Sequence, residues 1–213
     1  MANEVVVIGA GGFGRETLDV LEAMSFDEPG RVSVLGVVDD SPSRENLERL
    51  ATRDVPWLGN VESWLQTRPR ARFLVGIGDP VIRERIARHL SDAGLDAFLA
   101  VHPRAVVGSS VTIGTGSIVC SGAQISTNVT IGMHSHINAQ AAIGHDARLH
   151  DYVSVNPGAI ISGDVSIEPR SLIGAGAVIL QSLTVGANSV VGADACVTRD
   201  VEAHSIVKGV PAR

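Results

Sequence analysis

The chain has 213 residues, 45% hydrophobic and 19% charged, enough for one large or two small folded domains with real cores. A net charge of −6, with Lys208 as the only lysine, gives no footing for a polyanion such as nucleic acid. No stretch approaches the roughly 20 uninterrupted apolar residues of a membrane span. The two cysteines, Cys120 and Cys196, form neither a zinc pattern nor a disulfide framework. The start "MANEVVVIGA" lacks the basic region of a signal peptide, so a reduced cytoplasmic protein is expected.

The first hundred residues alternate strand and helix patterns. "EVVVI" (4–8) is a short apolar run that ends in glycines, and "RETLDVLEAM" (15–24) puts Leu18 and Leu21 on one helical face. "RVSVLGVV" is a second strand, ending at Asp39 and Asp40. "RFLVGI" is a third, and Asp79-Pro80 opens a helix with an N-cap and a first-position proline that closes at Gly94. This order predicts a small parallel sheet with helices against it.

Gly9, Gly11 and Gly14 satisfy G-x-G-x-x-G between a strand and a helix, with an acidic pair at the end of the next strand. A nicotinamide oxidoreductase fits that fingerprint. The half is short, however, and shows no second mononucleotide unit. Glycines before a helix N-terminus bind any phosphate, including the pyrophosphate of a nucleotide sugar.

From Val101 the period becomes six. Val101, Val107, Ile113, Val119, Ile125, Ile131, Ile137, Ile143, Leu149, Val155, Ile161, Ile167, Ile173, Ile179, Val185, Val191 and Val197 are all aliphatic, with no slip. Small residues sit two positions before most of them, and glycine often follows. This hexapeptide pattern predicts a left-handed parallel β-helix of five to six coils, one aliphatic side chain per hexad stacking inside. The domains expected are an α/β Rossmann-like domain over 1–100 and a left-handed β-helix domain over 101–213.

The pairing of these two parts, with "GAGGFG" (9–14), "VVDD" (37–40), "VGIGDP" (75–80), "SHINAQAAIGHD" (135–146), "PGAIISGDVSI" (157–167) and the ending "VKGVPAR", resembles the sialic acid O-acetyltransferases and the N-acetyltransferases of nucleotide-linked 4-amino sugars. The resemblance implies acetyl-CoA as co-substrate, a nucleotide-linked sugar as acceptor, and a homotrimer with active sites between subunits. It makes 1–100 a nucleotide-sugar-binding domain and 101–213 an acetyltransferase domain. It makes His145 the general base and Asp146 the carboxylate that raises its basicity. Acyl transfer from a thioester needs a proton acceptor for the attacking amine or hydroxyl, and neutral imidazole suits that task near pH 7. Asn138 matches a residue near the base and the acetyl group. Ser154 stands where some members have a second histidine, and Asn156 is a substitute for it. Gly163, Ala175 and Ala193 are expected to line the pantetheine groove. Gly11, Gly12, Phe13, Asp39, Asp40 and Gly59 are expected to hold the nucleotide sugar, with Phe13 replacing a common histidine.

A metal enzyme is the weaker alternative. His145 and His150 match part of the γ-class carbonic anhydrase pattern, but the third ligand position is Ser109. Catalytic zinc expects three protein ligands, so no metal is expected.

Overall fold

The computed structural model describes residues 3–67 and 69–213. The chain divides into two compact units, Met1–Pro103 and Arg104–Arg213.

The first unit contains β1 (Asn3–Ile8), α1 (Gly12–Asp27), β2 (Val32–Val38), α2 (Arg44–Ala51), α3 (Val61–Gln66), β3 (Arg72–Val75) and α4 (Pro80–Asp92). Its sheet is parallel, in the order β2-β1-β3. β1 is therefore central, and the winding reverses beside it, at the kind of point where open α/β sheets take their ligands. Val5, Val6 and Val7 of β1, Phe73, Leu74 and Val75 of β3, and Leu18 and Leu21 of α1 are fully buried. Consecutive apolar residues are what a strand covered on both faces demands.

The glycine motif has a steric cause. A Cβ on Gly14 would lie 1.8 Å from the Gly9 carbonyl oxygen, so only glycine lets α1 start this close to β1. Asp79 caps α4 as expected, accepting from the N–H groups of Val81 and Ile82. The two short helices α2 and α3 are additions to the sequence reading. Each is announced by a cap, Ser43 accepting from Asn46 N–H and Asn60 accepting from Ser63 N–H.

The second unit is the expected left-handed parallel β-helix. Two-residue strands step in turn through three parallel sheets, and strands up to Cys196–Val197 pair with those 18 residues away, as Ala142–Ile143 does with Gln124–Ile125 and with Ile160–Ile161. Hexad residues from Val119 to Val197 are at most 2% exposed; burying one such side chain contributes roughly 1.5–3 kcal/mol. In the first coil, which lacks a neighbour before it in the stack, Val107 is 42% exposed.

The turns between strands place one residue in the left-handed region. Along one corner these are Ser110, Asn128, Asp146, Asp164 and Ser182, with φ of 56°, 58°, 62°, 57° and 58°. Asn and Asp tolerate that conformation best among residues with a Cβ. Inside, Ser117, Ser135, Ser171 and Ser189 are fully buried, and each hydroxyl donates to a carbonyl 13 to 15 residues ahead. Buried hydroxyls need such partners.

The period ends at Val197. In the last coil Val201 bridges Val185 and Val207 pairs with Val191, sixteen residues away instead of eighteen. Asp200 fills the gap by accepting from Thr184 N–H at 2.8 Å.

Candidate active site

His145 and Asp146 lie in the turn after Ala142–Ile143, on the corner between the second and third sheets. The left-handed φ of Asp146 folds its side chain back, so that its Oδ2 meets His145 Nδ1 at 2.7 Å. Adjacent side chains on an extended strand point to opposite faces and do not meet this way. The hydrogen bond with His145 holds the Asp146 carboxyl below the usual carboxylate range, aided by Asn128 and by the positive charge of Arg148. An ionised carboxylate only accepts, so Nδ1 donates, and in the neutral ring the lone pair then lies on Nε2. His145 is 64% exposed, so Nε2 is open to a reacting group.

Beneath the ring lies Gly163, one coil on. A Cβ there would come within 2.6 Å of His145 Cε1 and Nε2. The structure thus gives Gly163, expected at the pantetheine groove, a position as the floor under the imidazole.

The other β-helix residues gather on a different corner, between the first and second sheets. Asn138 is buried, its Nδ2 donating to Val155 O at 3.0 Å and to Asn156 Oδ1 at 3.2 Å. Ala175 and Ala193 are exposed and follow each other one coil apart, with Asp194 N–H donating to Ala175 O. Ser154 is buried on the first sheet, in register with His136. A single chain therefore does not bring Asn138, Ser154, Ala175 or Ala193 to His145. The sheet beside the His145 corner carries an open groove of about 600 Å³, lined in part by Val106, Ala142 and Ile160.

In the first unit, nothing lies within 4 Å of a Cβ built on Gly11 or Gly12, so space is open beside this loop. Gly11 caps α1 without a side-chain bond, and a helix N-terminus carries the positive end of the helix dipole, which favours an anion. Phe13 is half-buried in the first turn of α1. The acidic pair ties loops together. Asp39 accepts from Ala10 N–H at 2.7 Å and Ser41 N–H at 2.9 Å, and Asp40 accepts from Val61 N–H at 2.9 Å. Gly59, at φ 96°, accepts from Asp39 N–H through its carbonyl.

The residues weighed for metal are occupied elsewhere. Ser109 Oγ is hydrogen-bonded to Thr127 Oγ1 at 2.9 Å, His145 Nδ1 to Asp146 at 2.7 Å, and His150 lies 3.5 Å from Glu168. Among the described residues no group of three or more His, Cys, Asp or Glu is placed to hold a metal ion.

Comparison with known proteins places this geometry in a lineage. Residues 4–90 match the PglD N-terminal domain family. A GDP-perosamine N-acetyltransferase of Escherichia coli is 34% identical over 126 residues, a match spanning 56% of this chain and 52% of that protein. PerB from Caulobacter crescentus, solved in complex with CoA and GDP-perosamine, is 32% identical, with a TM-score of 0.88 over 99% of this chain and 96% of that one. The acetyltransferase domain of PglB from Neisseria gonorrhoeae, in complex with acetyl coenzyme A, is 27% identical, with a TM-score of 0.86 over 100% and 99% of the chains. The match with the curated relative spans only about half of that protein's length, but likeness to the solved enzymes runs from end to end. The chain belongs to the family of hexapeptide-repeat sugar acetyltransferases with a Rossmann-like N-terminal domain, the family of the nucleotide-sugar N-acetyltransferases.

Proposed function

We propose that the protein transfers the acetyl group of acetyl-CoA to the 4-amino group of a nucleotide-linked amino sugar, with His145 as general base. The observation that carries this reading is the 2.7 Å contact of His145 Nδ1 with Asp146, which leaves Nε2 as an exposed proton acceptor. The sugar amine attacks the thioester carbonyl as Nε2 takes its proton, and the proton then passes to the departing CoA sulfur. Asp146 orients the ring and stabilises the imidazolium formed on the way. The nucleophile belongs to the substrate, so no side chain of the protein is acylated.

The glycine loop and the open start of α1 are the proposed seat of the nucleotide's pyrophosphate. Asp39 and Asp40 hold that seat in shape, and their free lone pairs, with Gly59 and Phe13, face the rest of the nucleotide sugar. Asn138, Ser154, Ala175 and Ala193 are proposed to border the acetyl-CoA arm. They lie on a different corner from His145, so a site containing both sets draws on two chains. A homotrimer, closing cyclically, provides three such sites. A cytoplasmic location, with access to acetyl-CoA, is part of the proposal.

Release of free CoA from acetyl-CoA across nucleotide-linked amino sugars and free sialic acid, with mass spectrometry of the product, tests this reading. An amide formed on one amino sugar supports it. Turnover with hydroxyl acceptors alone moves the protein to O-acetyl transfer, and silence with every acceptor refutes the substrate class.

A further inference from the structure

We propose that Asn128, one coil before the His145–Asp146 pair, is a positioning residue that acts through Asp146. The inference rests on His145 being the general base. Asn128 Nδ2 donates to Asp146 Oδ1 at 3.3 Å, while His145 Nδ1 engages Oδ2 at 2.7 Å. The two carboxylate oxygens thus have different partners. A carboxylate held at one oxygen turns within its broad two-fold torsion, and holding both fixes its plane. The direction of the Nδ1–H bond, and with it the aim of Nε2, follows from that plane.

The β-helix supplies this partner through its own period. Asn128 and Asp146 are 18 residues apart, occupy the same place in successive coils, and share the left-handed conformation at φ 58° and 62°. The backbone clips them together, Asp146 N–H donating to Thr127 O at 3.1 Å. Thr127 is fastened in turn to the coil before it, its Oγ1 donating to Ser109 O at 3.0 Å and meeting Ser109 Oγ at 2.9 Å. On the other side, Asp164 follows Asp146 in the same column and accepts from Ser182 Oγ at 3.2 Å, toward the next coil. The column therefore carries carboxylates at 146 and 164 and an amide at 128. The amide at 128 supplies Asp146 Oδ1 with a donor; a carboxylate there has none to give and leaves that oxygen without this bond.

A double-mutant cycle tests the proposal. Asn128→Gly removes the side chain and keeps the left-handed backbone without strain; Asn128→Asp keeps the shape but supplies no donor. Each is made in the native protein and in an Asp146→Gly background, with kcat and both KM values measured and folding checked by thermal melting. In the native background each variant is expected to lower kcat about tenfold, with KM within twofold, the scale of one lost bond to a charged group. In the Asp146→Gly background both are expected to stay within twofold of their parent, because the group Asn128 acts on is gone. Additive losses in the two backgrounds, or native kcat in folded Asn128→Gly, overturn the proposal. If Asn128→Gly does not fold, Asn128→Asp carries the same cycle. His145→Ala made alongside separates the two claims. Undiminished turnover in that variant refutes the base reading, whereas its loss together with additive Asn128 effects refutes only the positioning role.

Discussion

Gly163→Ala separates a floor under the imidazole from a lining of the cofactor groove. The added methyl would sit 2.6 Å from His145 Cε1 and Nε2, so the ring must retreat by about 0.8 Å to reach ordinary contact. His145 is 64% exposed and held by the hydrogen bond to Asp146, so the ring gives way and the 2.7 Å bond is lost or bent. Displacement of a reacting group by about 1 Å costs up to about 100-fold, and kcat is expected to fall by about 10- to 100-fold. Stability is expected to hold. Gly163 is not at positive φ, and Gly→Ala at a compatible site stabilises by about 0.4–1 kcal/mol through the unfolded chain. The assay is steady-state release of CoA, varying acetyl-CoA and acceptor separately, with a melting curve beside it. Native kcat in the folded variant would refute the floor. A raised KM for acetyl-CoA with kcat unchanged would restore Gly163 to the pantetheine groove.

The remaining predictions concern pH, core and assembly. The Asp146 carboxyl is held below its ordinary value of 3.8, so its contribution to stability is full above that value and disappears as pH falls through the lower folded value. The melting gap between native protein and Asp146→Asn should therefore shrink as pH falls from about 5 to below 4; a gap that persists undiminished at about pH 2–3 contradicts the assignment. Ile173→Ala, at a fully buried hexad position, should cost about 2–5 kcal/mol in denaturant unfolding. Val107→Ala, 42% exposed in the first coil, should cost about 0.5 kcal/mol or less, and equal losses would contradict the inward stack. Refolding a mixture of His145→Ala with an inactive Ala175→Trp variant should restore about a quarter of native turnover, because random assembly leaves that share of interfaces intact; no recovery would argue that each site lies within one chain.

The sequence made the solenoid legible because its core is one-dimensional. A single aliphatic register from Val101 onward sets the coil length, the sheets and the inward face together. The same arithmetic hid the ends. The last coil drops two residues, as the bridge from Val185 to Val201 and the pairing of Val191 with Val207 show. In the first unit the glycine motif and the Asp79-Pro80 cap were readable as local chemistry, while α2 and α3, short and capped by Ser43 and Asn60, carry too little periodic signal to stand out.

At the site, His145 and Asp146 could be named from the motif, but their contact could not. It depends on a left-handed turn at an aspartate, a conformation that sequence permits without requiring. The placing of Gly163 under the ring and of Asn128 beside the carboxylate follows from the 18-residue coil rather than the six-residue hexad. The separation of Asn138 and Ala175 from His145 has the same origin: six residues move a side chain to the next sheet, and eighteen return it to the same one.

The most direct test of the central claim is kcat for His145→Ala against the native protein, at saturating acetyl-CoA and the best nucleotide-linked amino sugar near pH 7.5. Loss of a general base predicts a fall of about 10²- to 10⁴-fold, with the variant folded and both substrates still bound. Turnover within a few-fold of native in that variant would contradict the account.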